Sequence, residues 1–224
     1  MTTPIWIFDL DNTLHHASAA IFPHLNRQMT AYLMRHLALD ETEANALRVR
    51  YWRAYGATLV GLIRHHRINP RHFLRETHRF DNLAAHIHAP KRLAATLAKL
   101  PGAKVLFTNG PREYARAIVE HLGIHRHFVR LFAIEDLDYN PKPRRRAYAT
   151  VLHAMKVAPS RCILIEDSAE NLAPAKQLGM TTVWVTRARG LPPYVDWKIA
   201  TVTDLPKVLG RWGARSSHPR LFLR

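Results

Sequence analysis

A single cysteine, Cys162, occurs in 224 residues. The chain can therefore close no internal disulfide, and this residue reads as a small hydrophobe in a strand, which suits a reducing compartment. No apolar run approaches bilayer length, which argues against a membrane-spanning helix. The N-terminus, MTTPIWIF, carries neither a basic region nor a cleavage-type site, so a soluble, untargeted cytoplasmic protein is expected. Internal repeats and low-complexity segments are absent. Acidic residues are scarce, with 17 Asp and Glu against 33 Lys and Arg, a net charge of +16. Such a field draws phosphate groups, whether on a nucleotide, a nucleic acid or a membrane surface. The arginines are scattered through nearly every predicted helix, with no dense block of the kind that marks a nucleic-acid arm. The charge is read first as solvated faces that speed encounter with small anions.

What is present is a globular composition, 47% hydrophobic and 22% charged, in a chain long enough for one core with a smaller inserted domain. Ile5, Trp6, Ile7 and Phe8 show no alternation, which suits a strand buried on both faces of a parallel sheet. From 18 to 99 the pattern is helical throughout. Ile21, Leu25, Met29, Leu33 and Leu37 recur at helical spacing, and Asp40 starts a second helix running through Tyr55, Leu59 and Ile63. Asn69-Pro70 precedes a short helix, 73–77, and Ala89-Pro90 opens another that carries Leu93, Leu97 and Leu100. After Pro101-Gly102 short apolar runs at 104–107, 131–134, 162–165 and 182–185 alternate with helical patterns at 112–122, 145–155 and 172–178. A weaker run at 199–202 precedes a helix near 205–209. This alternation predicts an α/β fold with a doubly wound parallel sheet. Residues 1–16 and 100–213 are expected to form its core, 17–99 an inserted all-helical domain, and 214–224 a basic, poorly ordered tail.

Each of four strands ends in polar residues. Asp9 and Asp11 follow the first, where α/β sheets bind ligands. Taken alone, the pair reads equally well as a turn. Thr108, Asn109 and Gly110 follow the second, with Pro111 at the first helical position, a sequence able to cradle an anion or to make an ordinary strand-to-helix turn. Asn140-Pro141-Lys142-Pro143 holds one lysine between two prolines, which restrict its backbone. Arg144, Arg145 and Arg146 read as a solvated helix start. Glu166-Asp167 closes the strand at 162–165 and brings the carboxylates at this edge to four. Four such groups either rise in pKa or bind a divalent cation, and oxygen-only ligands favour Mg²⁺. Pro174 places the next helix start close to Asn171.

This ordered set, Asp9-x-Asp11-x-Thr13, Thr108, Lys142 and Glu166-Asp167, resembles the haloacid dehalogenase superfamily over nearly the whole chain. The helical insertion after the first motif is similar to that superfamily's smaller cap. Thr13-Leu14-His15 with Ser18 and Ile21, the stretch Tyr51-Trp52-Arg53-Ala54-Tyr55-Gly56, Leu59-x-Gly61-Leu62, and Asp167-Ser168-x-x-Asn171-Leu172 resemble its pyrimidine 5′-nucleotidase branch. Two departures stand out: Glu166 where that branch often has aspartate, and His15 where it often has tyrosine.

The resemblance implies phosphomonoester hydrolysis through an aspartyl-phosphate on Asp9, with Asp11 as general acid and base. Dehalogenases of the superfamily lack the second aspartate, because a halide leaves without a proton. Mg²⁺ is implied at Asp9, the Asp11 carbonyl, Asp167 and Glu166, and phosphate binding at Thr108, Asn109, Gly110 and Lys142. The expected substrate is a small phosphorylated one, a nucleoside monophosphate of the UMP or CMP type. A sugar phosphate or another small metabolite is the alternative within the class, and a basic nucleic-acid-binding module on an inactive fold the alternative outside it. Possible substrate contacts are His15, Tyr51, Tyr55 and Asn171. Tyr51 and Tyr55 lie four apart, so they share a helix face that can stack on a base, although packing is the commoner use of such pairs. The histidine doublets His15-His16 and His65-His66 and the pair His86-x-His88 arise easily among fifteen histidines and are not read as zinc ligands.

Overall fold

The computed structural model describes residues 3–207. The tail 214–224 and the end of the helix expected at 205–209 lie outside them. Six parallel strands form one sheet: Ile5–Phe8 (β1), Lys104–Phe107 (β2), Arg130–Phe132 (β3), Cys162–Glu166 (β4), Thr181–Val185 (β5) and Trp197–Ile199 (β6). Their order is β3-β2-β1-β4-β5-β6, and every neighbouring pair is parallel. The first strand thus lies at the centre of a sheet whose other members arrive about a hundred residues later. Chain direction away from β1 reverses there, the switch point at which α/β sheets form a crevice at their carboxyl edge.

Unbroken apolar runs make sense at the centre because both faces are covered. Ile5, Ile7, Val105, Phe107 and Leu164 belong to one buried cluster with Ala147, Tyr148 and Val151 of the helix Arg145–Met155 (named α7 below) and Leu172 and Ala175 of Ala169–Gln177 (α8). Trp6, Phe8, Leu106, Ile163 and Ile165 face the other way, toward Tyr114, Ala115 and Ile118 of the helix Arg112–His121 (α6).

Between β1 and β2 stand five helices: Ile21–Leu37 (α1), Glu41–Tyr55 (α2), Thr58–His66 (α3), Pro70–Thr77 (α4) and Leu93–Lys99 (α5). The first four pack on one another, with α1 against α2 and α4, and α3 against the same two. Leu93 and Leu97 of α5 join the sheet's cluster instead, and α5 packs on the turn Val202–Asp204. Helix α2 begins at a capping box, in which the Glu43 amide donates to Asp40 Oδ1 at 2.8 Å and the Asp40 amide to Glu43 Oε2 at 3.1 Å. Asn69 caps α4 ahead of Pro70 at its first position.

Three expectations are corrected. The helix anticipated from Asp40 through Ile63 is two helices, because Gly56 takes φ +80° and donates its amide to the Trp52 carbonyl, ending α2. The strand anticipated at 131–134 ends at Phe132, since the Ala133 amide is taken by Asp136 Oδ2 and Ile134 opens a 3₁₀ turn. Helix α8 starts at Ala169 rather than near Asn171, with Pro174 inside it. The missing Pro174 N–H deprives the Glu170 carbonyl of its partner, and Glu170 is exposed, where water can serve it.

Gly61 of α3 lies directly against the Tyr51 ring, with no room for a Cβ. Gly61→Ala is expected to lower stability by about 1–2 kcal/mol in denaturant unfolding, overpacking outweighing the helix-propensity gain.

Candidate active site

Residues from the ends of β1, β2 and β4, with a lysine from the loop between β3 and α7, meet at the carboxyl edge around β1. Asp9, just past β1, has its amide bound to the Ile165 carbonyl at 3.0 Å, which continues the ladder and aligns its side chain with the end of β4. Lys142 arrives on the loop before α7 and is almost wholly buried. Its Nζ donates to Asp9 Oδ1 at 2.6 Å, to Glu166 Oε2 at 2.7 Å and to the Phe107 carbonyl at 2.9 Å. Three donors with three acceptors exhaust the ammonium, so its position is fixed. Asn109 locks this loop to β2, its Nδ2 donating to the Lys142 carbonyl at 3.1 Å while its Oδ1 accepts from the Lys142 amide at 2.8 Å. The buried Thr108 hydroxyl accepts from the Gly110 amide at 3.0 Å. Lys142 thus lies against Asp9 and is tied to Asn109, with Thr108 and Gly110 flanking Asn109 in the chain.

Carboxylate oxygens of Asp9, Glu166 and Asp167 all lie within 4.8 Å of one another. The Ser168 amide donates to Glu166 Oε1 at 3.1 Å, and Trp184 Nε1 to the Asp167 carbonyl at 2.8 Å, which hold the strand-to-helix turn. Burial, reinforced by the Glu166 charge and opposed by Lys142, pushes the Asp9 carboxyl up to about 7. Glu166 is raised by burial against the pull of Lys142, and Asp167 is raised by burial and by Asp9. Burial alone would lower the Lys142 ammonium, but Asp9 and Glu166 outweigh it and hold it raised. Three acids share one buried cation, leaving negative charge uncompensated. Oxygen donors with that surplus fit a hard divalent cation such as Mg²⁺.

Asp11 stands apart from this cluster and is gripped by two side chains on one oxygen. Tyr114 Oη donates to its Oδ1 at 2.5 Å and His15 Nε2 lies 2.9 Å from the same atom. Asn12, at φ +61°, turns the chain, its side chain pairing with Ser18 on both its amide and hydroxyl groups. Tyr114 was not anticipated. Burial, then Asp11, raises its phenol well above the ordinary value. Its only sequence signal is a position on the first turn of the helix that follows β2, six residues after Thr108, a turn that faces the sheet edge.

The other anticipated contacts lie elsewhere. Tyr51 is buried against α3 and its hydroxyl meets His66 Nε2 at 2.8 Å, and the Tyr55 hydroxyl meets His65 Nε2 at 2.6 Å. Their packing joins α2 to α3. Asn171 lends its carbonyl to the Tyr148 hydroxyl at 2.6 Å. Between the helical insertion and the core lies a cavity of about 80 Å³, lined among others by Met29, Phe73, His78, Asn109 and Tyr139. His78 is pushed down to about 4 by burial, so its imidazole is neutral at pH 7. With Nδ1 3.1 Å from the Leu74 carbonyl, which only accepts, the proton sits on Nδ1 and Nε2 is left as an acceptor.

Known proteins share this fold. A phosphatase structure from Thermococcus onnurineus superposes with a TM-score of 0.67 at 21% identity, covering 93% of this chain and 98% of that one. An L-2-haloacid dehalogenase from Xanthobacter autotrophicus superposes with a TM-score of 0.60 at 16% identity, covering 93% and 99%. A magnesium-bound hydrolase from Bacillus subtilis does so with a TM-score of 0.61 at 14% identity, again covering 93% and 99%. In sequence, the phosphate metabolism protein 8 of Saccharomyces cerevisiae is 25% identical over 195 residues, 79% of this chain. The match spans 59% of that yeast protein's length. The family model of haloacid dehalogenase-like hydrolases matches residues 5–179, a span that contains every carboxylate of the cluster, Lys142 and Thr108, and the chain belongs to that family.

Proposed function

We propose that the protein is a Mg²⁺-dependent phosphomonoester hydrolase working through an aspartyl-phosphate on Asp9. The observation that carries this over dehalogenation is Asp11, present two residues beyond the nucleophile and held by Tyr114 and His15. An alkoxide departs poorly without a proton, and Asp11 is the group placed to give one. Lys142 fixes Asp9 through one oxygen, and the Thr108 hydroxyl, held by the Gly110 amide that it accepts from, would with the Asn109 amide supply donors for phosphoryl oxygens. Asp9, Glu166 and Asp167, with the Asp11 carbonyl, would hold the Mg²⁺, which when bound offsets charge between carboxylate and phosphate.

For the leaving group, the stretches similar to pyrimidine 5′-nucleotidases support a UMP- or CMP-type monophosphate. A cavity of about 80 Å³ is well below the roughly 300–1,000 Å³ of ligand pockets. To fill that cavity, which is lined by Asn109 but by none of the site's carboxylates, a nucleotide base would need the helical insertion to move away from the core. The Bacillus subtilis structure is described as revealing interdomain movement, which supports such opening. A second reading within the same chemistry is a sugar phosphate or comparable small metabolite, for which that cavity would not have to widen. Phosphate release from a panel of monophosphates, with and without Mg²⁺, separates the two. UMP and CMP should turn over at least tenfold faster than sugar phosphates, and equal rates would remove the pyrimidine assignment.

Metal binding should also register in stability. Because the Asp9 carboxyl is raised from 3.8 to about 7, the folded chain between those values holds a proton the unfolded chain lacks. This group's contribution to metal-free stability therefore falls as pH rises through 7. Mg²⁺ competes with that proton. In thermal melts 10 mM Mg²⁺ is expected to raise Tm more at pH 8 than at pH 6, and saturation at a hundredfold over Kd is worth about 2.7 kcal/mol.

A further inference from the structure

Asp11 is held asymmetrically. Both of its side-chain partners meet the same oxygen, Oδ1, the Tyr114 hydroxyl at 2.5 Å and His15 Nε2 at 2.9 Å. His15 is almost fully buried and its Nδ1 has no hydrogen-bond partner. A proton on that nitrogen would be a buried donor left unmade, so the proton sits on Nε2 and is donated to Asp11. Tyr114 is in turn fixed by residues that follow α4: His78 meets its ring edge-on at 5.5 Å and Phe80 lies stacked 6.2 Å away. The phenol thus bridges the helical insertion and the aspartate.

We propose that Tyr114 and His15 are positioning residues that occupy Asp11 Oδ1 with two donated hydrogen bonds, so that Oδ2 is the oxygen exchanging a proton with the leaving group. This rests on the phosphomonoester hydrolase reading above. In the first half-reaction an Asp9 oxygen bonds to phosphorus, the bond from phosphorus to the leaving oxygen breaks, and the proton on Asp11 Oδ2 passes to that oxygen. In the second, water attacks phosphorus, its proton returns to Oδ2, and the Asp9–phosphorus ester bond breaks. A carboxyl free to rotate would offer either oxygen at varied angles. One held by two donors presents a single oxygen in a single direction, which in the first half-reaction matters only where the leaving group needs a proton.

Leaving-group dependence is the test. The ratio kcat/KM reports steps up to departure of the leaving group, so it isolates the first half-reaction. Wild type and Tyr114→Phe are compared with Mg²⁺ on 4-nitrophenyl phosphate, whose phenolate leaves unaided, and on glycerol 2-phosphate, whose alkoxide does not. In Tyr114→Phe the aryl-to-alkyl ratio of kcat/KM is expected to rise about tenfold, a fraction of the whole general-acid contribution of roughly 10²–10⁴. Tyr114→Phe keeps the ring and its packing. His15→Leu, which removes the other donor, should shift the ratio in the same direction. A ratio within threefold of wild type, both esters slowed together, overturns the assignment and leaves the pair a purely structural role. Failure of the underlying reading looks different: wild type inactive on both esters, or Asp9→Asn as active as wild type.

Discussion

Asp9→Asn should abolish phosphate release and, in the absence of divalent cations, make the protein more stable. The loss follows from the chemistry, because an amide cannot form the acyl-phosphate. A fall of at least 10⁴-fold, about 5.4 kcal/mol in the barrier, is expected in steady-state assays. The gain in stability follows from electrostatics. Asp9, Glu166 and Asp167 crowd one buried ammonium, and the Asp9 carboxyl is raised to about 7 because its ionisation is disfavoured by burial and by Glu166. Removing that charge leaves Lys142 still paired with Glu166 at 2.7 Å. Replacing buried ionic groups is often stabilising by about 1–4 kcal/mol, and a gain in the lower half of that range is expected at pH 8. The gain should shrink toward pH 5, where wild-type Asp9 takes up its proton in the folded state. Thermal melts in EDTA at the two pH values check both the sign and the trend.

Lys142→Met should do the opposite. It leaves the three acids without their cation in a site where Lys142 itself is almost wholly buried. Breaking a buried ion pair from one side typically costs 3–5 kcal/mol, which for a chain of this size is a fall of roughly 6–20 °C in Tm. Because the stranded carboxyls are already raised, lowering the pH from 8 to 6 should recover part of the loss, as should Mg²⁺. Activity should be lost as well, since Lys142 fixes the Asp9 oxygen at 2.6 Å. The contrast between these two variants is the signature of a carboxylate cluster built for a cation. An ordinary structural salt bridge would lose stability from either side.

The sheet was legible in the sequence because its strands are buried on both faces and so carry short, unbroken apolar runs, as at Ile5–Phe8 and Lys104–Phe107. Boundaries failed where polar groups outbid the apolar pattern. Ala133 and Ile134 look like strand, yet Asp136 captures the Ala133 amide. Gly56 ends α2 inside a pattern that keeps its helical spacing across the break. The candidate site was legible only as an ordered series of motifs, since no local rule brings Lys142 to Asp9 across 133 positions. Tyr114 was illegible for a related reason. A tyrosine on a half-buried helix reads as packing, and only the sheet order, which sets β2 beside β1, places it against Asp11.

The central claim is a covalent phosphate on Asp9, and trapping it is the direct measurement. The enzyme is mixed with Mg²⁺ and a phosphomonoester that it turns over, quenched, reduced with borohydride and digested for peptide mass spectrometry. An acyl-phosphate is reduced where a free carboxylate is not, so homoserine should replace aspartate at position 9 and nowhere else. Turnover at full rate with position 9 unmodified, or homoserine at Asp11 instead, would contradict the account.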